Sequence, residues 1–271
     1  RFRLACELVR NGRIGKLQHV ITSLPAGPNR GPFATAPVPV GLDWDMWQGQ
    51  APEREYVPER CHRYFRYWLE YSGGTLTDWG AHHNDIALWG LGLERTGPVS
   101  VEGKRLADSI AGGFTAPSEY VVDYVYANGV TQRCQSASSN GPDGSEIGKP
   151  KPDELPHGVK FIGSDGWIFV TRGKIEASTP DLVAEPLTKK SVELYVSDSH
   201  MGNFFECLRT RKQPICDAEI GHRSISVCHL GLIAIQLGRK LRWNPEQEQF
   251  VDDPEANTRV ARQQRKPYVI S

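Results

Sequence analysis

Residues 73–92 read GGTLTDWGAHHNDIALWGLG, and this segment decides how the rest of the chain can fold. Two glycines precede a run in which ionisable side chains recur at helical spacing among apolar ones. The pattern predicts a helix that begins near Trp79 with Asp78 as its N-cap, because a carboxylate there accepts hydrogen bonds from unpaired backbone N–H groups. At about 100° per residue, Asp78, His82 and Asp85 share one face of that helix.

This ionisable face suits proton transfer. A carboxylate beside an imidazole orients the ring and adjusts its pKa, so Asp78 and His82 are candidate catalytic residues. Each residue also has a structural explanation: Asp78 as a cap, His82 as a hydrogen-bonded core histidine, and Asp85 as its partner. Three ionisable groups on a half-buried face favour function, since burying them without a task is costly. A metal site with the same three ligands is a second hypothesis, which lacks a further ligand nearby.

Composition excludes several classes of function. The chain has 271 residues with 32 Lys+Arg and 32 Asp+Glu, so its formal net charge is zero. That balance argues against nucleic acid or an anionic membrane as the principal partner. No apolar run reaches the roughly 18 residues of a transmembrane helix. The six cysteines form no CxxC pair, which argues against a disulfide framework, and Cys6, Cys207 and Cys228 fit small core positions.

Aromatic residues concentrate between Trp44 and Trp89, and arginines alternate with rings over residues 56–71. Rings beside hydrogen-bonding groups suit carbohydrates, whose C–H faces stack on them. An aromatic core with arginines packed over rings is the structural alternative. His200 joins the candidates because it starts a helix just after a strand-like segment. The candidate substrate-binding residues are Trp44, Arg66, Trp68, Tyr71, His83, Asp85 and His200.

Periodicity predicts helices near both ends of the chain and strands between them. The predicted helices cover residues 2–11, 200–209, 218–237 and 253–264. The predicted strands cover residues 17–24, 99–106, 119–127, 130–136, 159–162 and 167–171, with 174–178 as a further candidate. Residues 140–156 are rich in Pro, Gly and charge and predict a mobile loop. Hairpin connections between the strands predict an α+β fold, an open and mainly antiparallel sheet with helices on one face.

The pattern G-G-x-x-x-D-x-G-x-H-x-x-D, formed by Gly73, Gly74, Asp78, Gly80, His82 and Asp85, resembles the substrate-domain signature of Gfo/Idh/MocA oxidoreductases. Other stretches resemble a secreted-type bacterial subgroup of that family: NGRIGKL at 11–17, GLDWDMWQGQAP at 41–52, VKFIGSDGW at 159–167, and residues 200–243.

The resemblance implies a function for these residues. In that family the Asp and the His four residues later flank the sugar or polyol carbon that exchanges hydride with NAD(P). Asp78 and His82 would then be the catalytic pair, and Asp85 a supporting carboxylate. The resemblance also implies a dimer or tetramer formed through the bare sheet face, and either a cytoplasmic protein or export to the bacterial periplasm.

The sequence itself offers no dinucleotide-binding motif. Such a domain needs a strand, a G-x-G-x-x-G turn and a helix, whereas Gly90-Leu91-Gly92 closes a predicted helix. We therefore expect residues 1–271 to be a single C-terminal substrate-binding domain, with NAD(P) and the family's catalytic Lys held by an upstream domain. Two alternatives remain: a carbohydrate-binding or oligomerisation module without turnover, and a metal-dependent lyase or hydrolase using the Asp78, His82 and Asp85 face.

Overall fold

The computed structural model describes residues 1–137, 157–187 and 191–270, so the insertion predicted at 140–156 lies outside the described residues. The helices are α1 (Phe2–Arg10), α2 (Trp44–Gln48), α3 (Thr75–Leu91), α4 (Asp181–Ala184), α5 (His200–Thr210), α6 (Ala218–Leu237) and α7 (Pro254–Asn257). Two 3-10 helices cover Pro58–Arg60 and His62–Tyr67. The strands are β1 (Leu17–Pro25), β2 (Ser100–Arg105), β3 (Tyr120–Val125), β4 (Thr131–Ala137), β5 (Gly158–Gly163), β6 (Trp167–Val170), β7 (Ile175–Ala177), β8 (Leu241–Asn244) and β9 (Gln249–Phe250).

The nine strands form one open sheet in the order β7-β6-β5-β1-β4-β3-β2-β8-β9. The pair β1 and β4 is parallel, and the other described neighbours are antiparallel. A parallel pair needs a crossover connection, and the chain between β1 and β4 provides one that contains α3. The predicted α+β fold with a mainly antiparallel sheet is confirmed.

Helix α3 is the element on which the helical layer is assembled. It contacts α1 and α6 on its flanks and β1 and β5 beneath it. Its apolar residues enter two core clusters: Leu76 and Leu88 pack with β3 and α6, whereas Ile86 packs with α1, β5 and β6. The close packing of α3 against β5 requires glycine at position 90, since a Cβ there would lie 2.3 Å from a ring carbon of Phe161.

Several boundaries differ from the sequence prediction. Helix α3 begins at Thr75, with Gly74 as its N-cap at φ 68°, so Asp78 lies in the first turn and is not the cap. The predicted helix at 253–264 is confined to Pro254–Asn257, where Asp253 caps it. Strands β8 and β9 and helix α2 were not predicted, because segments of two to five residues show little periodicity.

The face of the sheet turned away from the helices has mixed polarity. On β3, Tyr120, Val122 and Tyr124 point into the core, and the residues between them point away. On that far side, Arg133 of β4 donates two hydrogen bonds to Asp123 of β3, at 2.8 and 2.9 Å. The face therefore carries charge as well as apolar side chains.

All six cysteines are free, and five of them are buried. Their burial fits the predicted core positions of Cys6, Cys207 and Cys228. Among the described helices, none is long and apolar enough to span a bilayer.

Candidate functional site

Asp78 lies in the first turn of α3 and forms an ion pair with Arg66, which lies in the last turn of the preceding 3-10 helix. The Arg66 Nη1 donates to Asp78 Oδ2 at 2.7 Å, and the two side chains are 28% and 29% exposed. Gly74 fixes this arrangement, because its backbone N–H donates to the carbonyl of Arg66 at 2.8 Å. The predicted substrate residue Arg66 therefore contacts the predicted catalytic residue Asp78.

His82 lies one turn further along α3 with its imidazole exposed. The ring lies 6.5 Å from that of Trp79, centroid to centroid. Among the described residues no hydrogen bond joins His82 to Asp78, so the expected carboxylate–imidazole contact is not formed. The reason is the competing Arg66 guanidinium, which takes the Asp78 carboxylate.

His83 is fully buried behind His82. Within the described part of the chain neither ring nitrogen of His83 has a hydrogen-bond partner. Burial is the main cause that lowers the pKa of His83 to about 4; the positive charges of His157, His82 and Arg172 act in the same direction, and the backbone of Trp79 opposes them. His83 is thus held neutral close to the candidate base.

Asp85 does not join Asp78 and His82. It lines a separate cavity of about 500 Å³ between α1, the C-terminal half of α3 and the segments 192–195 and 213–216. Burial raises the pKa of Asp85 to about 6; the nearby Ser224 hydroxyl opposes this shift and the charge of Glu94 reinforces it. Although helical spacing places Asp85 on the same face as Asp78, seven residues of helical rise carry it about 10 Å along the axis.

The aromatic residues divide into half-buried and buried sets. Trp44 stacks on Trp47, with centroids 4.8 Å apart, and Tyr71 packs edge-on against Trp47 at 5.2 Å. These rings adjoin a cavity of about 740 Å³, whose lining includes Trp47, His62, Phe65, Tyr71, Gln263 and Gln264. Trp68 is only 3% exposed, and its indole N–H donates to the Glu59 carbonyl at 2.8 Å.

Trp68 therefore packs in the core and supports Arg60, whose guanidinium carbon lies 3.9 Å from the Trp68 ring centroid. Its predicted place in a binding wall is not supported, because its ring is covered on all sides.

His200 is the first residue of α5, as expected, and Ser199 caps that helix. The segment before it is irregular and contains no strand in residues 191–199. His200 is exposed, and α5 is not among the elements that contact α3 most. The described structure thus leaves His200 apart from Asp78 and His82.

Three residues near His82 were not singled out from the sequence. Trp79 lies half-buried on α3, His157 begins the segment leading into β5, and Arg172 lies in the turn after β6. The ring of His157 lies 5.4 Å from that of Trp79 and 6.0 Å from that of His83. The Arg172 guanidinium carbon lies 5.4 Å from the Trp79 centroid. The sheet brings His157 and Arg172 to α3, although both lie more than 70 residues after Trp79 in the sequence. No local pattern predicts such a contact.

The described residues contain no group of three or more His, Cys, Asp or Glu side chains that could hold a metal ion. They also form no glycine-rich cradle for a pyrophosphate. The glycines of the Gly90-Leu91-Gly92 stretch close α3, and Gly92 is its left-handed C-cap at φ 71°.

The arrangement can bind a polar substrate and transfer a proton. His82 presents an accessible imidazole, and the Asp78 carboxylate one turn away is already balanced by Arg66. A substrate hydroxyl could approach both side chains from solvent, since neither is covered by the described residues.

Comparison with known protein families finds one match. Residues 29–137 and 156–270 match the model of a family described as the Gfo/Idh/MocA oxidoreductase family, C-terminal alpha/beta domain. No curated protein matches the chain.

Solved structures share the fold at low sequence identity. A NAD-binding protein from Listeria innocua is 17% identical, with a TM-score of 0.54, and 89% of this chain covers 59% of that protein. The WlbA dehydrogenase from Bordetella pertussis, in complex with NADH and UDP-GlcNAcA, is 16% identical, with a TM-score of 0.54 and coverage of 89% and 60%. An aldose-aldose oxidoreductase from Caulobacter crescentus, complexed with glycerol, is 16% identical, with a TM-score of 0.56 and the same coverage. The chain thus spans about 60% of the length of these proteins.

Proposed function

Because this chain belongs to the Gfo/Idh/MocA oxidoreductase family, in which it forms the C-terminal α/β domain, we propose that it is the substrate-binding half of an NAD(P)-dependent oxidoreductase. The substrate would be a sugar, a polyol or a glycoside. Two structural relatives support that class: one is described in complex with UDP-GlcNAcA, and the other is an aldose-aldose oxidoreductase complexed with glycerol.

The observation that carries the proposal is the pair of Asp78 and His82 on successive turns of α3, in a domain of this family. His82 would accept the proton of a substrate hydroxyl, because its ring is exposed and makes no hydrogen bond within the described residues. Asp78 would bind a neighbouring hydroxyl and stabilise the imidazolium that forms. Arg66 orients the Asp78 carboxylate through its 2.7 Å hydrogen bond.

A nicotinamide cofactor supplies hydride transfer when it is bound. Since the described residues offer no pyrophosphate cradle, we propose that NAD(P) is held mainly by a domain outside residues 1–271. This chain would contribute substrate position and proton transfer.

The proposal is tested in the natural polypeptide that carries these residues. NAD(P)-linked turnover is measured with sugars, polyols and glycosides, for the parent protein and for Asp78→Asn and His82→Gln. Loss of a general base should lower turnover by about 10²- to 10⁴-fold, while cofactor binding is retained. His200→Gln is the control, because His200 is exposed and lies at the start of α5. Full turnover in both Asp78→Asn and His82→Gln would refute the proposal.

We also propose that the far face of the sheet pairs with a second copy of the chain. The support is the family membership, together with the row of half-exposed side chains on β1 and β3. The mass in solution, measured by light scattering at several concentrations, tests this, and a monomer at every concentration would exclude it.

A further inference from the structure

The rings and cations around Trp79 form a second feature of the site, which we call the Trp79 cluster: Trp79, His82, His83, His157 and Arg172. Two elements build it. Helix α3 supplies the first three residues, and the β5–β6 hairpin region supplies His157 and Arg172. The ring centroids of Trp79 lie 5.4 to 6.5 Å from those of the three histidines. The cluster therefore adjoins the candidate base on the side of the sheet.

Every ionisable member of the Trp79 cluster is a base. Arg172 makes no ion pair with any described residue, and its guanidinium contacts the face of Trp79. The nearest carboxylate on α3 is Asp78, which is already paired with Arg66. The charges that act on His83 are those of His157, His82 and Arg172, all of which are positive. Burial, and after it Arg172, lowers the pKa of His157. Basic side chains therefore gather here without a compensating acid in the described residues.

His83 shows that the cluster has unused hydrogen-bonding capacity. A buried polar side chain without a partner is costly, by about 1–3 kcal/mol, and such groups deserve an explanation. His83 has no exposed surface, and neither of its ring nitrogens has a partner among the residues described. A neutral imidazole has one N–H to donate. The rings of Trp79 and His157 lie beside that of His83, with centroids 5.7 and 6.0 Å away.

An oxyanion would complete these contacts. A guanidinium binds carboxylate and phosphate oxygens through parallel N–H donors, and the neighbouring imidazole of His157 gains stability as a cation when an anion lies beside it. The position beside His82 places such an anion within one sugar residue of the carbon where chemistry would occur.

We propose that the Trp79 cluster binds an acidic group of the substrate, a carboxylate or a phosphate, so that the enzyme acts on acidic sugar derivatives. This inference rests on the proposed function for the identity of the reaction, but not for the binding of the anion. Arg172 is the principal ligand and His157 is a supporting donor, while His82 remains the candidate base. Neutral sugars would lack the group that these side chains bind.

Anion binding is tested first, without turnover. The Cε1–H resonances of the histidines are followed by NMR as acetate or inorganic phosphate is added at constant ionic strength, with chloride as the comparison anion. We expect saturable shifts of the His157 and His82 signals with acetate or phosphate, and an upward shift in the pKa of His157. Arg172→Gln should weaken binding by about 10- to 100-fold. Arg63→Gln is the matched control, because Arg63 is also exposed and lies over a ring, that of Tyr64 at 5.8 Å.

The result that would overturn the inference is the absence of saturable shifts with both oxyanions, or equal binding by the parent protein and Arg172→Gln. Comparing glucuronate with glucose 6-phosphate then distinguishes a carboxylate from a phosphate on the sugar.

Turnover separates this inference from the proposed function. In the natural polypeptide, kcat/KM is compared for glucuronate, glucose 6-phosphate and glucose. We expect Arg172→Gln to lower kcat/KM for the acidic substrate by about 10- to 100-fold and to leave that for glucose unchanged. Equal losses for acidic and neutral sugars would show a structural role for Arg172 and refute the inference. Oxyanion binding without NAD(P)-linked turnover would refute the proposed function alone.

Discussion

The two halves of α3 face different ionisable groups. The N-terminal half, around His82 and His83, faces Arg172 and His157; burial, and after it these charges, lowers the pKa of His83 to about 4. The C-terminal half, around Asp85, faces Glu94, and burial there raises the pKa of the carboxyl to about 6. Basic side chains thus lie beside the first turns of α3, whereas the cavity at its last turns is lined by both acids and arginines, including Asp85, Glu94, Arg10 and Arg95.

The comparison of the two halves shows that helical spacing fixes the direction in which a side chain projects, but not the residues that it contacts. Asp78, His82 and Asp85 project from one side of α3, but the elements packed against each turn decide what the side chain meets. The hairpin of β5 and β6 brings cations to the first turns, whereas α1 and the segment 213–216 enclose the last turns. Burial is nevertheless the main cause of both pKa shifts, and it favours the neutral form of His83 and of Asp85 alike.

The largest effect is expected from a substitution that displaces the C-terminal half of α3 from its packing against the sheet. In Gly90→Val the new Cβ would lie 2.3 Å from a ring carbon of the fully buried Phe161. We expect the free energy of unfolding to fall by about 3 kcal/mol or more, because overpacking at a rigid core position forces backbone shifts. Urea denaturation measures the change.

Gly221→Val on α6 is the control for this substitution, since a Cβ at Gly221 meets no atom within 4 Å. A change within about 0.5 kcal/mol is expected there. Equal effects at the two glycines would mean that Phe161 moves aside freely.

The second test concerns His83 and acid. Its pKa is lowered to about 4 from 6.5, so the native state binds fewer protons than the unfolded state between these values. Stability is therefore present above pH 6.5 and is lost as the pH falls toward 4, by up to about 3 kcal/mol. His83→Phe should remove that part of the acid loss, as measured by thermal or urea unfolding across pH 4–8. His200→Gln should leave the profile unchanged, and an unaltered profile in His83→Phe would contradict the expectation.

The third and smallest effect comes from Asp85, with the opposite sign. Its pKa is raised from 3.8 to about 6, so its contribution to stability is fully present below pH 3.8 and is lost as the pH rises through 6. Asp85→Asn should therefore stabilise the protein at pH 8 by about 1–2 kcal/mol, after a discount for partial exposure, and should have little effect at pH 4. Asp165→Asn, on an exposed turn, is the control. Destabilisation at pH 8 by Asp85→Asn would show that the carboxylate has a partner that the neutral amide cannot replace.

The long periodic elements were predictable from the sequence because their pattern spans several turns or pairs. Helix α6 was predicted at the observed bounds, and β1 to β7 within about two residues. The start of α3 was missed, since an Asp before an apolar run suggests a cap, whereas Gly74 provides the turn and Asp78 pairs with Arg66.

The site was predictable only where it is local to one element. Asp78 and His82 were identified by their spacing on α3, and their catalytic roles stay a proposal. His157 and Arg172 reach α3 through strand pairing and leave no trace in the nearby sequence. Trp68 was misread because an aromatic residue in a ring-rich segment has the same sequence signal whether it is covered or open.

The parallel pairing of β1 with β4 also has a consequence for synthesis. His19 bonds to Thr131 across a separation of 112 residues, and β5, on the other edge of β1, is made later still. As the ribosome delivers the chain, β1 leaves the exit tunnel with both edges unpaired, and α3 follows before α6 exists to cover it. Late closure of this kind slows folding and exposes strand edges to other chains. Most of the domain must therefore be synthesised before its centre can become ordered, and we expect nascent chains that end before β5 to need a chaperone to stay soluble.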